Sequence, residues 1–343
     1  MKMKILMTAV LTTIHLSLFA ISHSTAGEIS TADDVKLAME AFEIKSYEQA
    51  KQLFKKLEKS ARRSFYLGEI ALKEKDVDEA EEYFEDAVAQ EPNNVEYNYR
   101  YGAINFQQAA NASMFSAMGY ASDGKKYHLK ALELDANYVP ALQGMIGFYI
   151  NAPSIAGGSL EKAIAMTNKL IKIDEKQGLL SQLGIYKKEE NQAKELAVAK
   201  DLAIKYTDSG KVLFMVGSSF RDAKKYDEAF SYFERASLIN DEDEKFYSLL
   251  AMYQIGRTAV ISEMNAERGI KALESYRSVG QEYVATHNDL PGLNWAAYRL
   301  AALYLSVGEK DKAKKLAKMA SNDKDDKKLR KRAEKLLKKI SRT

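Results

Sequence analysis

The sequence holds no cysteine, four prolines and one tryptophan in 343 residues. Without cysteine there is no disulfide, no thiol nucleophile and no lipid carried on a cysteine. Histidine is nearly as scarce, at four, and two of these, His15 and His23, fall within the first 26 residues. The remaining pair, His128 and His287, cannot build zinc sites of the usual Cys/His kinds, and any Ser-His-Asp arrangement would have to use one of them. Gly157-Gly158 precedes a helix pattern, but the Gly-Lys-Ser/Thr ending of a nucleotide loop is missing. Carboxylates are plentiful, yet Glu81-Glu82, Glu189-Glu190 and the run 241–244 read as wet helix faces and loops. No catalytic residue, cofactor site or metal site stands out, and the chain reads as a non-enzyme. Alternating strand patterns are missing too. Apolar positions three and four apart over most of the length predict an all-α protein.

The amino end has its own pattern. Lys2 and Lys4 precede an apolar run from Ile5 to Ile21 and a polar stretch ending Ser24-Thr25-Ala26. That order of charged, apolar and small residues predicts a secretory signal over 1–26, cleaved after Ala26. A membrane anchor is the alternative, though Thr12, Thr13, His15 and Ser17 interrupt a run already short for a span of about 20 apolar residues. The expectation is an exported, periplasmic, soluble chain that is not a lipoprotein. From Gly27 onward 49 Lys+Arg face 48 Asp+Glu, a net +1 that hides an asymmetry. Residues 309–343 carry 15 basic against 6 acidic groups, so an acidic body ends in a basic tail.

The rest of the chain is organised around RRSFYLGEIALKEKDVDEAEEYFEDAVAQEPNN, residues 61–94, which carries two amphipathic helices and a turn. Leu67-Gly68 stand in the first helix, Ala80 and Phe84 in the second, and Pro92 follows. Small residues at Gly68 and Ala80 let two helices cross closely, and Leu67 and Phe84 fill the space beside the crossing. This pattern resembles the tetratricopeptide (TPR) repeat, with Ala71 where that family prefers Tyr and Ser64 where it prefers Trp. The resemblance implies a TPR-type α-solenoid, a right-handed superhelix of antiparallel helix pairs running as one unit over 27–343.

The same slots recur along the chain. Residues 31–60 hold Leu37-Ala38, Ala50 and Phe54, with Thr31 or Asp33 as a cap. Residues 95–138 hold Tyr101-Gly102 and Ala131, with His128 in the aromatic slot as a packed core residue. An insertion over 111–124 lengthens the first helix or adds a loop, and its Met114, Phe115, Met118 and Tyr120 are expected to fold onto their own core, a binding lobe being the alternative. Residues 139–176 include NAPSIAGG, with Ser159 as an N-cap. Residues 177–209 read as a degenerate repeat with a long second helix and a hinge at 174–190. Residues 210–243 return to strength with Val216-Gly217, Ala229 and Phe233. Residues 244–290 hold Leu250-Ala251, with six residues inserted before the second helix, and 294–324 hold Leu300-Ala301 and Ala313. Residues 325–343 form a basic capping helix, since the last apolar face of a solenoid needs cover.

In such a superhelix the first helices line a concave groove. Carried across in register, the groove positions are Arg62, Phe65, Glu69, Tyr99, Phe106, Phe214, Arg221, Trp295 and Tyr298. Arginine and aromatic residues are what interface hot spots favour. The expected function is a non-enzymatic scaffold or adaptor that holds a protein or peptide partner, in cell-envelope assembly. A glycan-handling module in export or assembly of an envelope polysaccharide is the alternative, because rings also suit sugar faces. Nucleic acid is not expected. Lys327, Lys328, Arg330, Lys331 and Arg332 form a second patch, expected to meet an anionic surface if the cap does more than cover.

Overall fold

In the computed structural model the chain is described over residues 32–286 and 289–342. The signal segment 1–26, Thr31 and His287 lie outside the described residues. Eight helix pairs follow one another: α1 (Ala32–Glu43) and α2 (Tyr47–Lys56), α3 (Ala61–Glu74) and α4 (Val77–Gln90), α5 (Val95–Asn111) and α6 (Met114–Leu134), α7 (Val139–Asn151) and α8 (Leu160–Ile173). Then come α9 (Glu175–Lys188) and α10 (Gln192–Lys205), α11 (Gly210–Asp222) and α12 (Tyr226–Ser237), α13 (Lys245–Ser262) and α14 (Ala266–Val279). A short α15 (Gln281–Thr286) leads to α16 (Leu293–Ser306) and α17 (Lys310–Ser321), and α18 (Lys327–Ile340) stands alone at the end. Each first helix packs against its own second helix, and each second helix packs against the next first helix, which gives an all-α solenoid.

The crossing inside a pair is set by small residues. A Cβ on Gly68 would lie 2.8 Å from the Phe84 ring, and one on Gly217 would lie 2.8 Å from Phe233. Leu67, Phe84 and Ala80 are sealed, as are Phe233, Ala229, Ala301 and Ala313. Ser64, where the repeat pattern favours Trp, is buried as well, and its hydroxyl donates to Asp86 at 2.6 Å.

Five of the eight pairs share one turn. Lys45, Lys75, Glu190, Lys224 and Gly308 adopt positive φ, and the following residue donates its backbone N–H five positions back, at 2.9 Å in each case. This is the helix-ending turn in which a left-handed residue closes the last orphan carbonyls. The other pairs depart from it because they carry insertions. The extra residues at 111–124 go mostly into the second helix: α6 has 21 residues and α5 has 17. In α13, which has 18 residues, the close crossing is made by Gly256 against Leu273 rather than by Ala251. The register expected from Leu250-Ala251 is therefore corrected by five residues.

The expected degenerate pair is regular, with 14 residues in each of α9 and α10, and no long second helix. The segment expected to hinge is the unbroken α9. Its Leu179 and Leu183 pack into the carboxy-terminal core, and Ile185 packs with Met145 and Phe148 of α7. Asp33 lies inside the first turn of α1 and is not its cap. Ser159 does cap α8, accepting the Lys162 N–H. At the far end Leu329 and Ala333 of α18 are sealed against Ala320, Trp295 and Tyr298, so α18 sits on α16 and α17 where another first helix would sit. Among the described residues no helix is long and apolar enough to cross a membrane.

Candidate binding face

First helices touch one another as well as their partners, at α5–α7, α7–α9, α11–α13, α13–α16 and α16–α18. Side chains on this layer bridge neighbouring pairs, and the bridges differ between the two halves of the chain.

In the amino-terminal half the layer is closed on itself. Arg100 Nε lies 2.9 Å from Glu69 Oε1 and 3.0 Å from Glu96 Oε1, an attraction of charges in which the N–H is not aligned on either oxygen. Burial pushes the Glu69 carboxyl up, and the Arg100 charge works against that push. The Tyr138 hydroxyl donates to the second oxygen of Glu96. Behind them His128 fills the slot that Phe84 and Phe233 fill elsewhere. Its ring stacks on Phe106 at 4.6 Å and meets Tyr99 edge-on at 5.6 Å. Two glycines make room for it: a Cβ on Gly102 would lie 2.5 Å from Nδ1, and one on Gly144 would meet Nε2. The Gly124 carbonyl accepts from Nδ1 at 2.8 Å, which places the proton of the neutral ring there. Burial drops the His128 pKa to about 4.

In the carboxy-terminal half arginines accumulate without acids to match. Arg221 and Arg257 both donate to the side-chain oxygen of Gln254, at 2.7 and 3.4 Å. Arg299 Nε donates to the Tyr253 hydroxyl at 2.9 Å, and its guanidinium lies 5.2 Å from that ring and 5.8 Å from Trp295. Arg332 reaches the same Trp295 ring at 5.6 Å from α18. Asp222 is the carboxylate that serves this row, and it binds Arg221 at 2.7 Å and Lys187 at 2.5 Å. Burial raises its pKa, but the hydrogen bonds from Lys187 and Arg221 outweigh that and hold it below the usual range. Arg257 has the opposite history: burial first, then the like charges of Arg221 and Arg299, lower its pKa.

Between the ends of α5 and α7 opens an apolar cleft of about 670 Å³, walled by Phe106, Ala110, Met118, Gly147, Phe148 and Ile155 among others. The insertion forms one side of it. In the insertion Phe115 is 92% exposed and Met118 half exposed, so these two do not fold onto their own core as expected, while Tyr120 is half-buried; Ile155, after α7, is 87% exposed. The helix pattern of the sequence could not reveal this, because an amphipathic face looks alike whether it is covered by its own chain or by another.

The groove positions read from sequence fare unevenly. Phe106 borders the cleft but also lies between His128 and Phe148, whose ring is 5.1 Å away. Phe65 packs against Tyr97 at 5.0 Å, and Phe214 lies 5.9 Å from both Phe233 and Tyr247. Glu69 is buried and ion-paired, unlike an open groove residue. Arg62 is exposed beside a hollow of about 500 Å³ against α1. Trp295 donates its indole N–H to Asp326 at 2.8 Å and so fastens α18. Tyr298 lines a cleft of about 1060 Å³ with Arg332, Lys335 and Lys338 of α18, Arg342 just beyond its end, and Glu263, the residue that follows α13. Of the expected basic patch, Lys327, Lys328, Lys331 and Arg332 are exposed, whereas Arg330 donates to the carbonyls of Asp323 and Lys324. Sequence reasoning missed Gln254, Arg257 and Arg299. The misplaced register in α13 hid Arg257, which follows Gly256 directly.

Two stretches, residues 61–94 and 210–243, match the family model of the tetratricopeptide repeat. Among solved structures the chain is similar to yeast Tom70, at 13% identity and a TM-score of 0.59, covering 87% of this chain and 59% of that one. It is also similar to the APC/C hetero-tetramer Cut9-Hcn1, at 13% identity and a TM-score of 0.51, covering 90% of this chain and 55% of that one. The chain thus spans less than two thirds of either. A tetratricopeptide repeat protein from Parabacteroides merdae ATCC 43184 aligns at 15% identity and a TM-score of 0.46, over 82% of this chain and 98% of that one. No curated protein matches the sequence. At these identities the structural likeness speaks to the fold.

Proposed function

Because this chain is a tetratricopeptide-repeat protein, we propose that it is a non-catalytic scaffold whose first-helix layer holds a segment of a protein partner. The observation that carries the reading is the apolar cleft lined by exposed Met118 and Ile155. Large apolar side chains standing in water beside a cleft mark a contact surface, and a cleft of this size suits one or two apolar side chains of a docked segment.

The glycan reading needs open ring faces. Phe106 lies between His128 and Phe148, and Trp295 lies under Arg299 and Arg332. These two rings serve packing and the orientation of arginines, which weighs against sugar stacking at those two groove positions. Export and a role in envelope assembly rest on residues 1–26 alone; intact-mass measurement of the native protein tests the export, with a mass starting at or near Gly27 expected and the full 343-residue mass counting against it.

A photocrosslinking residue placed at Met118 or Ile155 should capture a partner in cells that express the protein. The same residue at Glu228, exposed on the second helix α12, should not. Equal capture at all three positions would overturn the reading.

A further inference from the structure

We propose that Arg221, Arg257, Arg299 and Arg332 form a ladder that docks an acidic, extended segment of the partner, with carboxylates recurring at every third residue. The inference rests on the scaffold reading and specifies the chemistry of the other half of the same layer.

Each rung comes from a different helix: α11, α13, α16 and α18 supply one arginine apiece. The rungs are linked in order. Arg221 and Arg257 share the Gln254 oxygen, Arg299 holds Tyr253 four residues before Arg257, and Arg299 and Arg332 share the Trp295 ring. The row crosses the layer diagonally. Arg221 lies four residues after the crossing glycine Gly217, Arg257 one residue after Gly256, and Arg299 two residues before Ala301. That drift of about one turn per helix follows the staggering of neighbouring first helices.

One acid serves the four arginines of this row. Among the described residues Arg257, Arg299 and Arg332 have no carboxylate within ion-pair distance, and the single acid bonded to the row, Asp222, also serves Lys187. Arg221, Arg257 and Arg299 are half-buried, and holding such guanidinium groups side by side is unfavourable unless an anion joins them; Arg257 feels the like charges of both neighbours. The amino-terminal half shows what compensation looks like: there Arg100 sits between Glu69 and Glu96.

The geometry selects the anion. Packed helices stand about 8 to 10 Å apart. A polyproline-II segment rises about 3.1 Å per residue with three residues per turn, so every third side chain falls on one face at about 9 Å. Planar guanidinium groups pair with carboxylates through two parallel hydrogen bonds. Single-stranded nucleic acid asks for rings free to stack on bases, and the Tyr253 and Trp295 rings are already taken by arginines.

Titration of the full-length chain with three probes tests this. The first is a peptide of about 12 residues with Glu at every third position and Pro between. The second has the same composition with its Glu residues clustered, and the third is inorganic polyphosphate. The spaced peptide should bind about tenfold more tightly than the clustered one, and its binding should weaken with salt. The double variant Arg257→Gln/Arg299→Gln should lose about tenfold or more of that affinity, and Arg257→Lys, which keeps the charge and loses the fork, should lose part of it with an unchanged melting temperature. Equal binding of the two peptides, tighter binding of polyphosphate, or full affinity in the Gln and Lys variants would overturn the ladder. Crosslinking at Met118 and Ile155 is read separately. Capture there together with failure of the peptide titration sinks the ladder alone, whereas loss of site-specific capture sinks the scaffold reading.

Discussion

The two halves of the first-helix layer are built on the same crossings and solve opposite problems. From α3 to α7 the layer satisfies itself: Arg100 lies among carboxylates, Tyr138 bonds Glu96, and His128 is locked between two glycines and two rings. What it leaves open is apolar, the cleft at the ends of α5 and α7. From α11 to α18 one continuous core runs from Leu179 to Ile340, and the side chains that bridge the first helices are arginines. A repeat frame thus fixes where side chains point without fixing their chemistry, and the chemistry is where the halves diverge.

If the frame is shared, matched substitutions in the two halves should cost alike. Phe84 and Phe233 each cover a crossing glycine and are fully buried. Phe84→Ala and Phe233→Ala should each destabilise by about 3 to 5 kcal/mol, the range for truncating a core aromatic residue. Denaturant unfolding followed by circular dichroism measures both. A difference between them larger than about 2 kcal/mol would mean that one half does not depend on its crossing in the way the other does.

The third occupant of that slot, His128, sharpens the comparison because it can take a proton. Its folded pKa of about 4 lies below the ordinary value of 6.5, since burial disfavours the imidazolium. The native state therefore binds fewer protons than the unfolded chain between those values. The contribution to stability is complete above pH 6.5 and declines as the pH falls towards 4, by up to about 3 kcal/mol in all. His128→Phe places in this pair the residue that the other two use. The variant should keep its stability near neutrality and flatten the profile between pH 6.5 and 4. A wild-type curve that is already flat across that window would show that the ring is reached by water.

Legibility in the sequence followed spacing. Gly68 and Phe84, like Gly217 and Phe233, are 16 residues apart, and both pairs were readable because the crossing demands one small and one large residue at that interval. Gly256 and Leu273 are 17 apart, and α13 offers Ala251 as a second small residue one helical turn or more earlier. Two registers satisfy the same pattern, and the one that starts from Leu250-Ala251 leaves the arginine beside the true crossing out of the groove. Arg299 is hidden for another reason: the repeat register places Trp295 and Tyr298 of the same helix in the groove, and only the fold shows Arg299 reaching across to Tyr253. The exposure of Phe115 and Ile155 was not readable at all, because it depends on what the rest of the chain fails to cover.

The smallest effect concerns the turns, where the halves should not differ. Lys75 closes α3 with φ of 66° and Lys224 closes the α11 turn with φ of 59°, while Gly308 occupies the same place after α16 with φ of 84°. A side chain in the left-handed region costs about 1 to 2 kcal/mol relative to the right-handed one. Glycine escapes that cost but gives up about 0.4 to 1 kcal/mol through the greater freedom of its unfolded chain. The strain term is the larger, so Lys75→Gly and Lys224→Gly should each stabilise, by about 0.5 kcal/mol, and Gly308→Ala should destabilise by a similar amount. The lysine charges do not reverse the sign, since no carboxylate lies within ion-pair distance of either among the described residues. Thermal melts of the three variants, each compared with the parent at fixed ionic strength, decide it. Should the two lysine variants melt lower than the parent, the turn holds its shape through the flanking backbone bonds alone, Asp76 N–H to the Ala71 carbonyl and Lys225 N–H to the Phe220 carbonyl, and the left-handed residue contributes no strain to relieve.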